Sequence, residues 1–466
     1  MKKTFIYCAI ALIMASLTAC NDFLTVEQKG KTTIPSFLSD PRGLNAGLVG
    51  AYNKFYDYYD NQFLKYPEVA GNMSSMNLSS GSDMLEQYNF TPNATSATTS
   101  YYIWYRIGVA LANTNDIIQY APEVAKSYPT QADSCNQILG QALLLRALCH
   151  FDLCRVYAQP YNYTNDASHL GIPVLTKTPG PDDNPSRNTV KKVYEQILAD
   201  LTKASSLLTD NIAKDVHYAS LQAVNALFAR VYLYMGDWTN SLKYAKLAIG
   251  SQQLAQGSDY YNMYMNLNTR GEAIFRLSGD KMVGKQMTFY TSECQPADTL
   301  ISLFDSSDVR LPLIQQNGIK QCIKYTATII PDNQPKREDP FIFRLSEMYL
   351  TAAEAAWESE SYNEARSYIE AIVNRAIGPD KAPTVLATYT DKDLINLIRT
   401  ERVKELCFEG HNFFDITRWK QDLVREQSTN STVRRIAYPS NLFVLPIPQY
   451  ELDANENMQP NPTVNK

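Results

Sequence analysis

The chain has 466 residues, of which 45% are hydrophobic and 20% charged, a composition that excludes disorder, collagen and coiled coil. The net charge of −5 provides no cationic field, so no nucleic acid is expected as a partner. Tyrosine is unusually frequent, with 31 residues against 17 phenylalanines, and its ring and hydroxyl suit binding sites as well as cores.

The first residues form an export signal. Lys2 and Lys3 precede an apolar stretch over 5–17, which is too short for a membrane-spanning helix. The following Leu17-Thr18-Ala19-Cys20 resembles the lipobox of bacterial lipoproteins, which implies removal of residues 1–19 and lipidation of Cys20. The acyl chains would then attach the protein to a membrane. A plain secretory peptide with an incidental cysteine is the alternative.

Two segments are expected to be irregular inserts. Residues 54–105 are rich in Tyr, Asn, Ser and Thr with little helical period, and residues 259–340 mix short strand candidates with long loops. Loops of such length are unusual in a compact protein unless they have a function. We therefore expect the ligand site in these two inserts.

Helical periodicity dominates most of the remaining chain. Apolar residues at helical spacing predict a helix over 138–158, and Thr189 is the expected N-cap of a helix that extends to Leu208. The five prolines and two glycines between these helices predict an irregular connection, in which only 171–175 has the composition of a strand. A last helix is expected over 391–407.

Two later segments, 220–250 and 344–376, resemble each other. In both, a helix rich in small residues is followed by a turn with an aromatic residue, Trp238 or Tyr362, and by a second helix. Such a pair cannot bury its faces alone, so tetratricopeptide-like stacking with the earlier helices is predicted. The predicted scaffold comprises 101–250 and 341–420; helical hairpins without a common superhelix are the alternative.

The mature chain would retain six cysteines besides Cys20. Export permits disulfides, but the spacing is irregular and the chain is long enough to stabilise a core without them. Most are therefore interpreted as small buried hydrophobic residues. They are Cys135, Cys149, Cys154, Cys294, Cys322 and Cys407.

Motifs for cofactors, metals or nucleophilic catalysis are not evident. Residues 279–285 nearly match a phosphate-binding loop, but Gln286 stands where Ser or Thr should bind magnesium, so the match is interpreted as coincidence. The four histidines are scattered singly, and neither HExxH nor GxSxG occurs. Accordingly, no cofactor, metal ligand or catalytic residue is predicted.

One charged stretch permits a catalytic interpretation. Glu401 and Glu405 lie one helical turn apart, and a pair of carboxylates on one face can act as general acid and base in sugar hydrolysis. However, arginines and acids alternate here, and alternating charges at helical spacing favour a paired structural network. The structural interpretation is the stronger one.

The same stretch resembles the block I-x-x-E-R-x-x-E-L-x-F-E-G-x-R-x-x-D-x-x-R-W of the SusD/RagB family of nutrient-uptake lipoproteins. His411 departs from the block, which usually has arginine there, and this weakens one expected ion pair. Further similarities occur at 20–24, 146–157, 171–173, 200–201, 344–347 and 445–452. The matching residues of the block are Ile398, Glu401, Arg402, Glu405, Leu406, Phe408, Glu409, Gly410, Asp415, Arg418 and Trp419.

The resemblance implies a mainly α fold over 20–466: a scaffold of four tetratricopeptide-like helical pairs, with irregular, loop-rich inserts that carry a few short strands and the ligand site. It implies a protein without catalytic activity, lipid-anchored in the outer membrane and facing the cell surface. There it would cover a SusC-like TonB-dependent transporter and deliver oligosaccharides, or in some cases peptides, to it.

A sugar site needs flat apolar surface and hydrogen-bonding groups, and tyrosine supplies both. Tyr102 and Trp104 stand at the start of a predicted helix, where aromatic residues often pack in the core instead. A peptide or glycopeptide site, a glycoside hydrolase using Glu401 and Glu405, and a pure protein-binding scaffold are the alternative functions. The predicted ligand-binding residues are Asp83, Tyr88, Tyr101, Tyr102, Trp104, Phe289 and Tyr290.

Overall fold

The computed structural model describes residues 33–462, except 92, 96–98, 210–214, 331–333, 335 and 428. Helices account for 56% of the structure and strands for 6%, which confirms the mainly α fold class. The predicted signal and Cys20 lie outside the described residues. Within the described part, no helix combines the length and apolar character needed to cross a membrane.

Eighteen helices of four or more residues are described, apart from a π-helical turn at Tyr59–Phe63. They are α1 Ile34–Phe37, α2 Pro41–Tyr58, α3 Leu64–Ala70, α4 Leu85–Tyr88, α5 Thr99–Ser127, α6 Ala132–Tyr157, α7 Val190–Leu207, α8 Leu221–Met235, α9 Trp238–Ile249, α10 Gly257–Met265, α11 Gln286–Ser292, α12 Asp298–Ile301, α13 Leu345–Glu358, α14 Tyr362–Ile377, α15 Ala382–Ala387, α16 Leu394–Leu406, α17 Asn412–Arg418 and α18 Gln449–Ala454.

The described strands form four two-stranded antiparallel sheets, β1–β3, β2–β6, β4–β5 and β7–β8. The pair β2–β6 joins the later insert to the scaffold, because β6 leads directly into α13. The strands are β1 Ser74–Met76, β2 Ala273–Arg276, β3 Cys294–Pro296, β4 Gln315–Gln316, β5 Ile319–Lys320, β6 Phe341–Arg344, β7 Leu423–Val424 and β8 Arg435–Ile436.

The long helices pack in chain order. α2 packs on α5, α5 on α6, α6 on α7, α7 on α8, α8 on α9, α9 on α13 and α13 on α14. The two repeat segments predicted from sequence are the pairs α8–α9 and α13–α14. Ala229 and Ala353 are fully buried in the first helix of each pair, and Trp238 and Tyr362 begin the second. The stacking prediction is therefore confirmed.

Local sequence explains several helix ends. Thr189 caps α7 by accepting the backbone N–H of Lys192 at 3.2 Å, as predicted. Gly236 ends α8 with φ of 75°, which glycine adopts without the cost that a Cβ would bring. Asp237 then caps α9 by accepting the N–H of Asn240 at 3.1 Å. A two-residue connection thus reverses the chain.

Three expectations were wrong. The first part of the insert predicted over 54–105 is helical, since α2, the π turn and α3 run to Ala70. Its aromatic residues are buried on several sides of the helix, so the sequence lacks the alternation of apolar and polar residues that usually indicates a helix. Residues 171–175 form no strand, and α17 and α18 follow the helix that was expected to be the last.

The interpretation of the cysteines is confirmed. All six that the structure describes are buried and none forms a disulfide. Burial also raises the pKa of Cys154 and of Cys294 to about 12, so both thiols stay protonated. They contribute to the core as small hydrophobic side chains.

Candidate functional site

Four tyrosines form an aromatic surface at the start of α5. Tyr101 and Tyr105 lie one helical turn apart, and their rings stack with centroids 5.7 Å apart and an interplanar angle of 14°. Tyr102 and Tyr450 each approach the Tyr101 ring to 5.3 Å. Tyr105 is 53% exposed and Tyr450 64%. We call these four residues the aromatic ledge; solvent reaches its outer ring faces.

Contacts of the C-terminal segment place Tyr450 on the ledge. The indole N–H of Trp104 donates a hydrogen bond to Oε2 of Glu451 at 3.0 Å. The hydroxyl of Ser100 donates to the carbonyl of Pro446 at 2.6 Å. These bonds fix α18 against the first turns of α5, so the ledge is held by two distant parts of the chain.

Polar side chains lie beside the ledge. Nε2 of Gln62 donates to Oδ2 of Asp83 at 2.8 Å, and the guanidinium of Arg106 donates to Oε1 of the same Gln62 amide. Arg106 also pairs with Asp57 at 3.2 Å and lies over the ring of Tyr102, 4.9 Å from its centroid. Flat ring faces next to an amide, a guanidinium and carboxylates are what a polyhydroxylated ligand needs.

The charged stretch 401–409 belongs to a buried cluster of ion pairs. Five cations and five carboxylates form it, so its formal charges balance. We call it the ion-pair cluster. Its members are Arg310, Lys324, Arg344, Arg375, Lys404, Glu272, Asp308, Glu401, Glu405 and Glu409.

Glu405 stands at the centre of the ion-pair cluster. Its carboxylate contacts Arg344 at 2.7 Å, Arg375 at 2.7 Å and Arg310 at 3.1 Å. Burial alone would raise the pKa of this carboxyl, but the three arginines outweigh burial and hold it well below its usual value. A general acid needs a raised pKa, so Glu405 is not built for that role. The structural interpretation of this stretch is confirmed.

The following residues extend the same kind of pairing. Arg418 forms two hydrogen bonds with Glu354, at 2.6 and 2.7 Å, and Asp415 bridges Arg418 and Arg402. His411 is buried, and burial together with nearby arginines holds its pKa well below the usual value. The block, however, has its arginine two residues after Gly410, so the departure from the family pattern lies at Asn412 and not, as expected, at His411.

Comparisons with known proteins agree with this arrangement. Sequence models described as "Starch-binding associating with outer membrane" and "SusD family" match residues 22–233 and 248–463. The crystal structure of a SusD superfamily protein from Bacteroides thetaiotaomicron is 26% identical with a TM-score of 0.80, covering 91% of this chain and 100% of that one. The chain belongs to the SusD/RagB family.

Two further relatives show how far the similarity extends. The crystal structure of a protein from Bacteroides vulgatus, described as a candidate sugar-binding protein, is 25% identical with a TM-score of 0.79, covering 91% of this chain and 98% of that one. The SusD-like protein P38 of Formosa agariphila is 24% identical over 51% of this chain. That match spans only 43% of P38.

Three predicted ligand-binding residues of this SusD-family protein are core residues, which corrects the prediction. Tyr88 is fully buried under Arg425, and its hydroxyl donates to Asn430 at 2.7 Å. Phe289 and Tyr290 are at most 2% exposed, and Tyr290 stacks on Tyr325. Their rings are covered by protein, so no face is left for a ligand.

The other four predicted residues lie in the aromatic ledge or next to it. Tyr101 and Tyr102 belong to it and Asp83 lies beside it. Trp104 is half-buried, stands edge-on to Tyr157 with centroids 4.9 Å apart, and has its N–H occupied by Glu451. These contacts give Trp104 a positioning role at the ledge, which agrees with the alternative of packing and not with the predicted ligand contact.

Four neighbours of this surface were missed from the sequence. Tyr105 had a usable signal, since it follows Tyr101 by one helical turn. Tyr450 lies within the terminal segment that matches the family, but nothing local indicates that it returns to α5. Gln62 and Arg106 carry no sequence signal, because their role depends on the π turn that brings Gln62 toward Asp83.

The near match to a phosphate-binding loop encloses carboxylates of the protein itself. The backbone N–H groups of Gln286 and Met287 donate to Glu338 at 3.0 and 2.8 Å, and that of Lys285 donates to Asp60 at 3.0 Å. A Cβ on Gly284 would lie 2.2 Å from the side chain of Glu338, so a larger residue there would displace that carboxyl group. The backbone donors of this loop are thus already occupied.

The described residues contain no group of three or more His, Cys, Asp or Glu side chains arranged to hold a metal ion. One close pair of carboxyl side chains, Asp60 and Glu338, is surrounded by backbone donors and by Lys285. We therefore assign no metal role to any described residue.

Proposed function

We propose that this protein is a non-catalytic surface lipoprotein that captures oligosaccharides on the aromatic ledge and delivers them to a SusC-like TonB-dependent transporter. The observation that carries the proposal is the exposed stack of Tyr101 and Tyr105 with Tyr450 beside it. Pyranose rings present apolar CH faces that pack on such rings, while Asp83 and Arg106 offer partners for hydroxyl groups.

The relatives support this proposal. One structural neighbour is described as a candidate sugar-binding protein, and one matching family model is described as starch-binding and associated with the outer membrane. Delivery to a transporter and binding of oligosaccharides on the aromatic ledge are the steps we add. They follow from the family resemblance and from the chemistry of the ledge.

The geometry favours sugar over the alternatives. A peptide site would be less aromatic and would offer charged groups for the two termini, whereas Arg106 is already paired with Asp57. A hydrolase would need an accessible acid, and both Glu401 and Glu405 are buried among arginines and lysines. A non-catalytic binding protein is therefore the function that fits best.

Removal of ledge rings tests the proposal. Calorimetry against a panel of neutral oligosaccharides should show binding by the wild-type protein, and Tyr105→Ala combined with Tyr450→Ala should weaken it at least about tenfold, since stacked rings contribute most of the contact. Tyr163→Ala removes a tyrosine that is 38% exposed elsewhere and should bind like the wild type. Equal affinities in all three proteins would contradict the proposal. Hydrolysis of the added oligosaccharides to shorter sugars would contradict it as well, because the proposed function is non-catalytic.

The anchor is tested separately. Lipid on Cys20 would hold the protein in the outer membrane, because each buried methylene contributes about 0.8 kcal/mol. Cys20→Ala should move the protein from the membrane fraction to the soluble fraction on cell fractionation. If the variant stays in the membrane fraction without bound lipid, the proposed anchor is wrong.

A further inference from the structure

A groove of about 410 Å³ runs along the outer face of α2, outside the aromatic ledge. Tyr52 and Asn53 of α2 line one side, and His217, Tyr218, Asp280 and Lys281 line the other. Its volume lies within the range of about 300–1,000 Å³ that is typical of small-ligand sites. Neither the family block nor the ledge uses this groove.

Tyr218 provides an aromatic platform in the groove. Its side chain is 46% exposed, and its ring stands at 90° to that of Tyr52 with centroids 5.6 Å apart. Tyr52 is itself fixed, because its hydroxyl accepts the N–H of Ala219 at 2.9 Å and donates to Gln141 at 2.7 Å. Tyr52 therefore holds one side of the Tyr218 ring in place, and the other side of the ring is exposed to the groove.

Polar groups without protein partners surround this platform. Among the described residues, the hydroxyl of Tyr218, the amide of Asn53 and the ammonium group of Lys281 make no hydrogen bond to another residue. The carboxylate of Asp280 only approaches Arg337, at 3.9 Å. Donors and acceptors thus converge on the groove and are free to bind a ligand.

The charges in the groove favour an uncharged ligand. Asp280 and Lys281 are neighbours of opposite sign, and His217 is held between Asp215 at 2.7 Å and Asp339 at 3.0 Å. No single sign dominates, so there is no field that would select an anion or a cation. A neutral molecule rich in hydroxyl groups matches both the ring and the mixed donors and acceptors.

The groove and the ledge are connected along α2. Asn53 faces the groove, and Asp57, one turn later and about 6 Å along the helix, pairs with Arg106 beside the ledge. We infer that the groove is a second saccharide-binding site, which takes the continuing end of an oligosaccharide whose first residues lie on the ledge. This inference rests on the proposed function, since the ledge must bind the same ligand.

Chain-length dependence tests the inference. The probe is a length series, from disaccharide to octasaccharide, of the neutral glycan that the wild-type protein binds best. Tyr218→Ala should leave disaccharide affinity unchanged and lower octasaccharide affinity about tenfold, roughly the contribution of one aromatic contact. Tyr218→Phe keeps the ring and should lose less, while the ledge variant Tyr105→Ala should weaken binding at every length.

Each other result has a definite meaning. If Tyr218→Ala binds every length like the wild type, the groove is not a saccharide site and the ledge proposal stands. If it weakens all lengths equally, the groove is not a separate site. If Tyr105→Ala has no effect and Tyr218→Ala does, the ledge assignment fails instead. If the wild-type protein binds no glycan, both the ledge proposal and the groove proposal are wrong. Equal thermal unfolding of Tyr218→Ala and Tyr218→Phe shows that the ring loss acts on binding and not on folding.

Discussion

Replacement of Glu405 by glutamine should lower the free energy of unfolding by about 3–5 kcal/mol, the usual cost of removing one partner from a buried ion pair. Glutamine has nearly the same shape but no charge, so the ion-pair cluster would keep five cations against four carboxylates. Arg344, Arg375 and Arg310 would each lose part of their compensation while staying buried. Urea-induced unfolding measures the change.

An exposed ion pair of the scaffold provides the matched control. Glu364 contacts Lys246 with side chains 35% and 46% exposed, and Glu364→Gln should change stability by no more than about 1 kcal/mol. A loss below about 1 kcal/mol in Glu405→Gln would show that the ion-pair cluster does not stabilise the fold as we describe. If the wild-type protein hydrolyses an oligosaccharide and Glu405→Gln abolishes this activity without loss of stability, the hydrolase alternative is supported instead.

The wild-type protein should become less stable as the pH rises from 5 to 9, and Glu338→Gln should remove much of this dependence. Burial, followed by the charge of Asp60, raises the pKa of Glu338 to about 8, and burial raises the pKa of Asp60 to about 6. The unfolded chain releases the Glu338 proton near pH 4.5, but the folded protein keeps it. The stability that protonated Glu338 contributes is therefore fully present below about pH 4.5. It is lost as the pH rises through the pKa of Glu338 in the folded protein.

The expected loss between pH 5 and pH 9 is about 4 kcal/mol, because about three pH units lie between pH 5 and the folded pKa of Glu338, and each unit corresponds to roughly 1.4 kcal/mol. Glutamine at 338 can still accept a backbone N–H and can donate to Asp60, so the variant should fold. Urea unfolding at pH 5, 7 and 9 compares the proteins, with Glu195→Gln as a control at an exposed carboxylate on α7. Parallel pH profiles of Glu338→Gln and the wild type would mean that Glu338 does not keep its proton in the folded protein at neutral pH.

The sequence predicted the parts of the fold that local chemistry encodes. The pairs α8–α9 and α13–α14 were visible because a helix must bury a face of small residues, and each pair carries its own turn. Thr189 was recognised as a cap because its hydroxyl satisfies a backbone N–H three residues later. The alternation of charges around Glu405 indicated pairing before any partner from the rest of the chain was known.

The candidate site was predicted only in part. Tyr101, Tyr102 and Asp83 were chosen because their segment is rich in tyrosine, but the same reasoning chose Tyr88 and Tyr290. A tyrosine has the same local signature in a core and on a surface, since its ring tolerates both environments. The difference is set by which distant residues cover the ring, as Tyr325 covers Tyr290.

By itself, the sequence determined that this protein is mainly helical, that its helices stack as repeats, and that it belongs to the SusD/RagB family. Periodicity, caps and short motifs are properties of neighbouring residues, so they can be read along the chain. Only the tertiary structure decided which tyrosines meet solvent. The bond between Trp104 and Glu451 joins residues 347 positions apart, and such contacts, which bring Tyr450 to the ledge, exist only after the helices have packed.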